Sequence, residues 1–592
     1  MANPVIARII GGAGTGKTTE LMRLLDLVLS RGIDPFQVGF VTFTRAARRE
    51  ASSRAADRAG ATFEQLERDG WFRTLHSVCF KALGMTKNQV LGDERETNKW
   101  LRDHLGDAGS RGFGGADVDD ADDSDAVDSF SATTDVGRAL AIWGAARNRL
   151  EPLLAAWKRV DRCSDRTPSY ERISRIVADY EQAKRLDNKI DFVDLLGRFA
   201  GYDFGVDGHE RGEEHGESPD LPVWFFDEQQ DTSALLDAVC HRLIGSPRCK
   251  WVYVVGDPFQ AIYGWSGADA RLFQAWPAAN QRIMPRSYRC PAPIHNFGER
   301  ILTHCSDYWD RGIQPAPHPG DLSIEHMDQT LIRKVDPTQS WLLLARTNRL
   351  ASGLGKRLDD EGIPWQPTQG MMGGWNRPKQ NLVFNAVYDL SEQMMISVAE
   401  LKALVAAFPA KGIQGDIFDR GMKSAWAKIT QEDIKRSTPK LFELLGPAIL
   451  ESEANVAQRN EKASVQFSPL IDMPYIGKAI PGLANIIKDG TWVEYLKGGR
   501  EYRHARRKHG YAACHDPSVR VGTIHSVKGA EADNVLWLTT TSRAVVAACE
   551  DRDGFDEECK VSYVAATRAR GRLVVAIDLN QAGQQWTAGI HR

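Results

Sequence analysis

Nine consecutive residues near the start of the chain, Gly11, Gly12, Ala13, Gly14, Thr15, Gly16, Lys17, Thr18 and Thr19, have the types and spacing to hold a nucleoside triphosphate. Glycines let backbone N–H groups close around phosphates, the lysine reaches the β/γ oxygens, and the hydroxyl of Thr18 holds Mg²⁺. The acidic half of that chemistry stands at Asp227 and Glu228, adjacent carboxylates at the end of the apolar run LPVWFF. There Asp227 is suited to Mg²⁺, and Glu228 to orienting and deprotonating an attacking water, a task that a hydrolase has and a kinase lacks. Gln260 closes another apolar run, KWVYVVGDPFQ, and Tyr263 and Trp265 follow it. A polar group near a γ-phosphate and an aromatic a few residues on can link nucleotide state to base stacking. Thr42, Phe43 and Thr44 precede an arginine-rich stretch, RAARREASSR, and offer hydroxyls and a ring to a nucleic-acid strand. His76, in TLHS, is a weaker candidate, since a lone histidine is more often structural.

The elements that must position these groups are legible around them. VIARII, before the glycine loop, reads as a buried strand, and TTELMRLLDLVLSRG after it as an amphipathic helix whose N-terminus faces the phosphates. Strand-like runs also precede Thr42, Asp227 and Gln260, so each polar group falls at the end of a strand, where open α/β sheets bind ligands. SWLLLARTN, VRVGTIHSVKG, NVLWLTT and GRLVVAI repeat the pattern in the second half.

The chain has 592 residues, too many for one core, with 42% hydrophobic and 26% charged residues and a net charge of −3. No run of 18 apolar residues and no signal-like N-terminus are present, which points away from membrane spanning and secretion. Nine cysteines without a CxxC pair suggest reduced thiols in a cytosol, not a metal centre. The charge argues against a wholesale electrostatic grip on nucleic acid but leaves room for local basic tracks, at Arg45–Arg58 and in GREYRHARRKHG from Gly499. The alternative for either track is a solvated helix face, and for the second the two readings stand level. The acidic stretch 116–128 and the Gly/Glu-rich stretch 205–220 read as surface loops.

The order of these pieces resembles the UvrD/Rep/PcrA-type DNA helicases of superfamily 1. GGAGTGKTT, VTFTRAAR, TLHS, DEQQDT, GDPFQAIYGWSGA, SYRC, TIHSVKGAEA and YVAATRA are similar to that family's motifs, in sequence order. The resemblance implies an α/β protein of two RecA-like P-loop NTPase motor domains with parallel sheets, each carrying a mainly helical insertion. Residues 1–77 and 187–281 would form the first motor, with its insertion at 78–186. Residues 282–375 and 513–592 would form the second, with its insertion at 376–512.

The resemblance also implies roles. Arg289 and Arg568 look like arginine fingers that join Glu228 and Gln260 in catalysis. Tyr288 would stack on adenine and Glu531 would bond the ribose, with Gly529 beside them. Phe43, His76, Tyr263, Trp265 and His525 would lie along single-stranded DNA with Thr42 and Thr44. ATP and Mg²⁺ are the implied cofactors, and single-stranded DNA and its duplex junctions the implied partners. A cytosolic monomer or weakly self-associating protein is expected, in a bacterium or a phage-infected cell, with replication or repair proteins as possible company. The implied activity is 3′-to-5′ ATP-dependent unwinding. The alternatives are a translocase that strips proteins from DNA and a non-catalytic DNA-binding subunit.

This sequence departs from the family pattern in places. With ten residues before the loop, no adenine-reading Gln segment is expected, and Thr19 stands where an arginine is common, so base selectivity is expected to rest on Tyr288. Gln229 replaces a phenylalanine, the second insertion is short, and no nuclease is expected after YVAATRA.

Overall fold

The computed structural model describes residues 3–42, 45–60, 62–106, 134–161, 167–368, 378–412, 415–436, 438–446 and 469–578. They divide into two compact units, one drawn from Met1–His326, Leu344–Thr347 and Thr523–Arg592, the other from Met327–Leu343 and Asn348–Gly522.

In the first unit the chain forms strands β1 (Val5–Ile10), β2 (Val38–Val41), β3 (Trp71–Arg73), β4 (Tyr202–Gly205), β5 (Gly208–Arg211), β6 (Val223–Phe226), β7 (Trp251–Gly256) and β8 (Asn280–Ile283). Six of them make a parallel sheet in the order β3-β2-β6-β7-β1-β8. β2 and β6 are buried throughout, as continuous apolar runs must be when helices cover both faces of a parallel sheet. On one face Leu21, Leu25 and Val28 of the helix Lys17–Ser30 pack on Ile9, Val38 and Phe225. On the other, Leu235 and Val239 of the helix Ala234–Ile244 meet Phe199, Trp224 and Phe226.

Phe72, Phe40, Phe225 and Tyr253 sit at paired register positions on β3, β2, β6 and β7. Their rings stack successively, at centroid separations of 5.8, 5.7 and 4.8 Å. Gly39 is required on the opposite face, because a Cβ there would lie 2.2 Å from the Trp224 ring. The register brings the carboxyl ends of β1, β2, β6 and β7 to one edge, and with them the glycine loop, Thr42, Asp227 and Asp257.

The helices Glu94–Leu105, Asp135–Asn148, Leu153–Asp161 and Tyr170–Leu186 surround a separate core of Leu101, Leu140, Trp143, Ile173, Val177 and Tyr180. The helix Leu75–Ala82 instead contributes Val78 and Cys79 to the core of the sheet. Where Asp191 caps the helix Phe192–Ala200, Arg147 reaches Asp191 at 2.7 Å and Asp194 at 2.8 Å, and Lys184 reaches them at 3.0 and 2.5 Å. The carboxylates of Glu181, Asp191 and Asp194 are close enough to share a cation, and these two side chains supply it.

One expectation is corrected here. The stretch 205–220 is not loop throughout, because Gly208–Arg211 pairs antiparallel with Tyr202–Gly205. The aromatics of YDFG alternate, and Tyr202 lies under the Arg211 guanidinium at 4.2 Å. The chain reverses at Val206-Asp207, between the paired Gly205 and Gly208, and Gly208 enters the second strand at φ 143°.

Further strands of the first unit are β9 (Arg286–Pro291), β10 (Gln314–Ala316) and β11 (Asp321–His326), and β10 runs parallel to β9. In the second unit β12 (Trp341–Ala345) straddles the division in sequence, followed by β13 (Gln366–Pro367) and the two-residue strands β14 (Ile396–Ser397), β15 (Lys411–Gly412), β16 (Gly415–Asp416) and β17 (Leu470–Ile471). β18 (Val519–Thr523) pairs parallel with β13. The rest of that unit is mainly helical. Its basic helical stretch Gly499–His515, broken at Gly510, turns Arg506 inward onto Asp389 at 3.1 Å and stacks Tyr502 on Phe384. Back in the first unit, β19 (Ala532–Leu538) and β20 (Ala569–Ile577) run parallel with β11 in the order β11-β20-β19. The protein is thus α/β with two sets of parallel strands. No helix among the described residues is long and apolar enough to cross a membrane.

Candidate nucleotide site and nucleic-acid interface

The glycine loop leaves β1 and enters the helix at Lys17, with Gly14 at φ 68° and Gly16 at φ 82°. Lys17 is buried, and its Nζ donates to the Gly11 carbonyl at 2.9 Å. The segment carrying Tyr288 and Arg289 lies against the loop: the Tyr288 N–H donates to the Gly14 carbonyl and Ser287 Oγ to the Ala13 carbonyl, both at 2.8 Å. A Cβ on Gly14 would stand 2.3 Å from that of Arg289.

Across the strand ends, Asp227 and Glu228 are adjacent carboxylates in an enclosed site. Burial pushes the Asp227 carboxyl up, and its neighbour Glu228 adds to that, while Lys17 and the Thr42 hydroxyl work against it. Burial acts on Glu228 too, but Lys17, Lys528, the Gln230 amide and Arg568 hold it net below its ordinary value. Glu228 adopts φ 51°, a left-handed conformation that a non-glycine residue enters at a cost. Gln230 steadies it by donating to Glu228 Oε2 at 2.6 Å and accepting the Asp257 N–H at 3.0 Å.

Gln260 donates to Asp257 at 2.7 Å and accepts from Arg568 Nη2 at 3.4 Å. Arg568 is buried and anchored on the Val564 carbonyl at 3.0 Å; burial and the nearby Arg289 lower its pKa to about 10. Arg289 donates to Glu531 at 2.5 Å and to the Thr567 carbonyl at 3.4 Å. Glu531 also pairs with Arg570, so in this arrangement it is committed to two guanidinium groups. Tyr288 exposes 70% of its surface, open to stacking. Gly529, at φ 83°, has nothing within 4 Å of a would-be Cβ. Thr18 is half-buried and Thr19 exposed.

The residues expected on DNA fare unequally. Phe43 and Thr44 lie outside the described residues. Thr42 is buried, and its hydroxyl bonds Asp227. His76 is half-buried with its ring edge-on to Phe192 at 5.7 Å. Tyr263 and Trp265 are half-buried neighbours, 6.3 Å between centroids. His525 Nε2 lies 3.1 Å from the Ile262 carbonyl, and burial takes its pKa down to about 3, so the ring is neutral and braces this segment.

Several residues were not singled out from sequence. Arg311, from an unremarkable loop, is buried between Asp257 at 2.6 Å, Glu299 and the Tyr563 hydroxyl at 3.3 Å, and the Ala13 N–H donates to that same hydroxyl at 3.3 Å. Nothing in its sequence neighbourhood signals this. Lys528 pairs with Asp231, donates to the Gln260 carbonyl at 2.8 Å and lies 5.0 Å from the Tyr263 ring. Both stand within quoted motifs, SVKG and DEQQDT, and could have been drawn from them.

A phosphate loop on β1, a carboxylate pair on β6, a glutamine after β7 and two arginines brought to them define a RecA-like P-loop NTPase. The family's own domains then match the sequence: the UvrD/REP helicase N-terminal domain over residues 5–279 and the UvrD-like helicase C-terminal domain over 505–580. The chain belongs to the UvrD-like helicase family, whose members are ATP-hydrolysing enzymes. Among curated relatives, it is 20% identical to a putative ATP-dependent DNA helicase, YjcD of Bacillus subtilis, over 97% of this chain and 77% of the relative. It is 24% identical to the ATP-dependent DNA helicase PcrA of Staphylococcus epidermidis over 96% and 80%. With PcrA of Staphylococcus aureus the match is 25% over 53% of this chain and 40% of the relative.

Proposed function

We propose that the protein couples ATP hydrolysis to 3′-to-5′ movement along single-stranded DNA and unwinds the duplex ahead of it, in the cytosol, with the motor and insertion boundaries given above. The observation that carries the reading is the position of Gln260. Its side chain joins Arg568 on the nucleotide side, its carbonyl accepts from Lys528, and three and five residues later the chain presents Tyr263 and Trp265.

ATP and Mg²⁺ fit the residues present. A Cβ on Gly11 would collide with Thr15 Oγ1 at 2.5 Å and Lys17 Cγ at 2.7 Å, so the loop keeps bare backbone where phosphates approach. Thr18 and Asp227 would hold the metal, which would neutralise phosphate charge. Lys17 would exchange the Gly11 carbonyl for a phosphate oxygen, and Arg289 would exchange Glu531. Glu228, held ionised by its cationic neighbours, would accept the proton of the attacking water. Arg289 and Arg568 would meet charge developing in the transition state, a contribution of about 10³- to 10⁵-fold for an arginine finger. Base stacking on Tyr263 and Trp265 would supply grip.

The test measures ATP hydrolysis with and without single-stranded DNA, beside Glu228→Gln, and unwinding of 3′-tailed against 5′-tailed duplexes. DNA stimulation, loss of turnover in the variant and unwinding of the 3′-tailed substrate alone are expected. Stimulation without strand separation would leave a translocase that clears proteins, and turnover indifferent to DNA would sink both readings.

A further inference from the structure

The turn that carries Trp265, Gly264–Ser266, is gripped from two sides inside the first unit. Arg149, which follows the helix Asp135–Asn148, donates from Nη2 to the Gly264 carbonyl. Gly267, at φ 109°, lies so close behind that a Cβ would meet Asn148 Cβ at 3.0 Å and Arg149 Cγ at 3.3 Å. From the other side comes Glu557, on the helix Arg552–Ala566. Its carboxylate accepts the Trp265 backbone N–H and fits against Gly264, where a Cβ would stand 2.8 and 2.9 Å from its two oxygens.

The charges facing Glu557 are known. Arg149 and Arg346 attract it and Glu558 repels it, while Arg346 is itself paired with Glu558 at 2.9 Å. Glu557 Oε1 is sealed from water and has no hydrogen-bond partner among the described residues. A buried carboxylate with spare acceptor capacity is a costly fixture for packing alone. The helix that carries it continues through Tyr563, which bonds the glycine loop, and is followed at once by Thr567 and Arg568. One rigid rod thus has the stacking turn near its start and the finger arginine at its end.

We propose that Arg149 and Glu557 are positioning residues for DNA-stimulated turnover, fastening the Trp265 turn to the insertion on one side and to the arginine-bearing helix on the other. A base that displaces Trp265 then moves Arg568 relative to Gln260. The inference rests on the DNA reading above.

The test uses the full chain with oligo-dT as the DNA. Glu557→Gln keeps an oxygen for the Trp265 N–H and removes the charge. Gly264→Ala presses on the same carboxylate from the opposite side. Both should keep DNA-free turnover and the KM for ATP within about twofold, yet lose on the order of tenfold of the stimulation by oligo-dT, a typical size for coupling between sites. Unchanged stimulation in both, or loss of DNA-free turnover in the same proportion, overturns the proposal. Should Glu557→Gln fail to fold, Arg149→Met and Gly264→Ala carry the same comparison. A wild type that oligo-dT does not stimulate defeats the underlying reading, whereas a stimulated wild type with unaltered variants defeats only this inference.

Discussion

Arg311 shows how much of the nucleotide site depends on a residue that would touch no nucleotide. Its guanidinium joins Asp257, Glu299 and Tyr563 and lies 4.8 Å from the Phe259 ring. Asp257 orients Gln260, and Tyr563 receives the glycine loop's Ala13 N–H. Removing one member of a buried ion pair leaves the other charge uncompensated, at a cost of about 3–5 kcal/mol. Arg311→Met should therefore lower unfolding free energy by about that amount, measurable by denaturant titration. Adding Asp257→Asn should recover part of the loss, and a strictly additive double variant would refute this account. The glycine loop and the Asp-Glu pair were legible because their chemistry demands particular neighbours in the chain. Arg311 was not, since its partners lie at residues 257, 299 and 563 and only folding assembles them. The bond from Thr42 to Asp227 is hidden in the sequence for a related reason: a threonine at a strand end looks the same whether its hydroxyl faces a strand of DNA or a carboxylate beneath it.

At the scale of elements, the Arg147–Lys184–Asp191–Asp194 cluster ties the helical insertion to the helix that returns to the sheet. Burial pushes the Asp191 carboxyl up, but Arg147 and Lys184 pull it net below the usual carboxylate range. A depressed folded-state pKa contributes stability above the unfolded value, about 3.9 for Asp, and that contribution is lost as pH falls below it. Arg147→Met removes the stronger attraction, so it should cost about 3–5 kcal/mol near neutrality. The gap to wild type should close as pH drops through the carboxylate range and the stranded acids take up protons. Denaturant melts followed by the fluorescence of Trp143, whose ring lies 5.0 Å from the Arg147 guanidinium, would report it, and a gap independent of pH would count against it. Strands were readable from apolar runs, because a parallel sheet covered on both faces leaves little alternative. The β4–β5 hairpin was missed because Gly, Glu and His dominate its second strand, and its packing is supplied by Tyr202 and Phe204 upstream.

For the molecule as a whole, a net charge of −3 and paired surface arginines bear on how DNA would be gripped. Arg54 is shared between Asp26 and Glu50, and Arg48 approaches Glu67 at 3.6 Å, so part of the first basic track is already spoken for. A grip on DNA of the kind proposed would then rely on stacking, worth about 1–3 kcal/mol per base. Trp265→Ala should weaken oligo-dT binding by that amount while leaving the slope of log K against log salt unchanged, since no phosphate contact is lost. A slope that falls along with affinity would mean that Trp265 works through charge.

The ring row from Phe72 through Phe40 and Phe225 to Tyr253 has a mechanical consequence. It crosses the strands, so it acts as a strut braced across the sheet, and close-packed interiors of this kind transmit strain. If the protein moves along a strand as proposed, it works under load, and a strut matters only under load. Phe40→Leu, which interrupts the row near its middle, should lower the opposing force at which movement stalls in an optical trap, while turnover without tension stays within about twofold. An unaltered stall force would mean that the hydrogen-bonded strands alone bear the thrust.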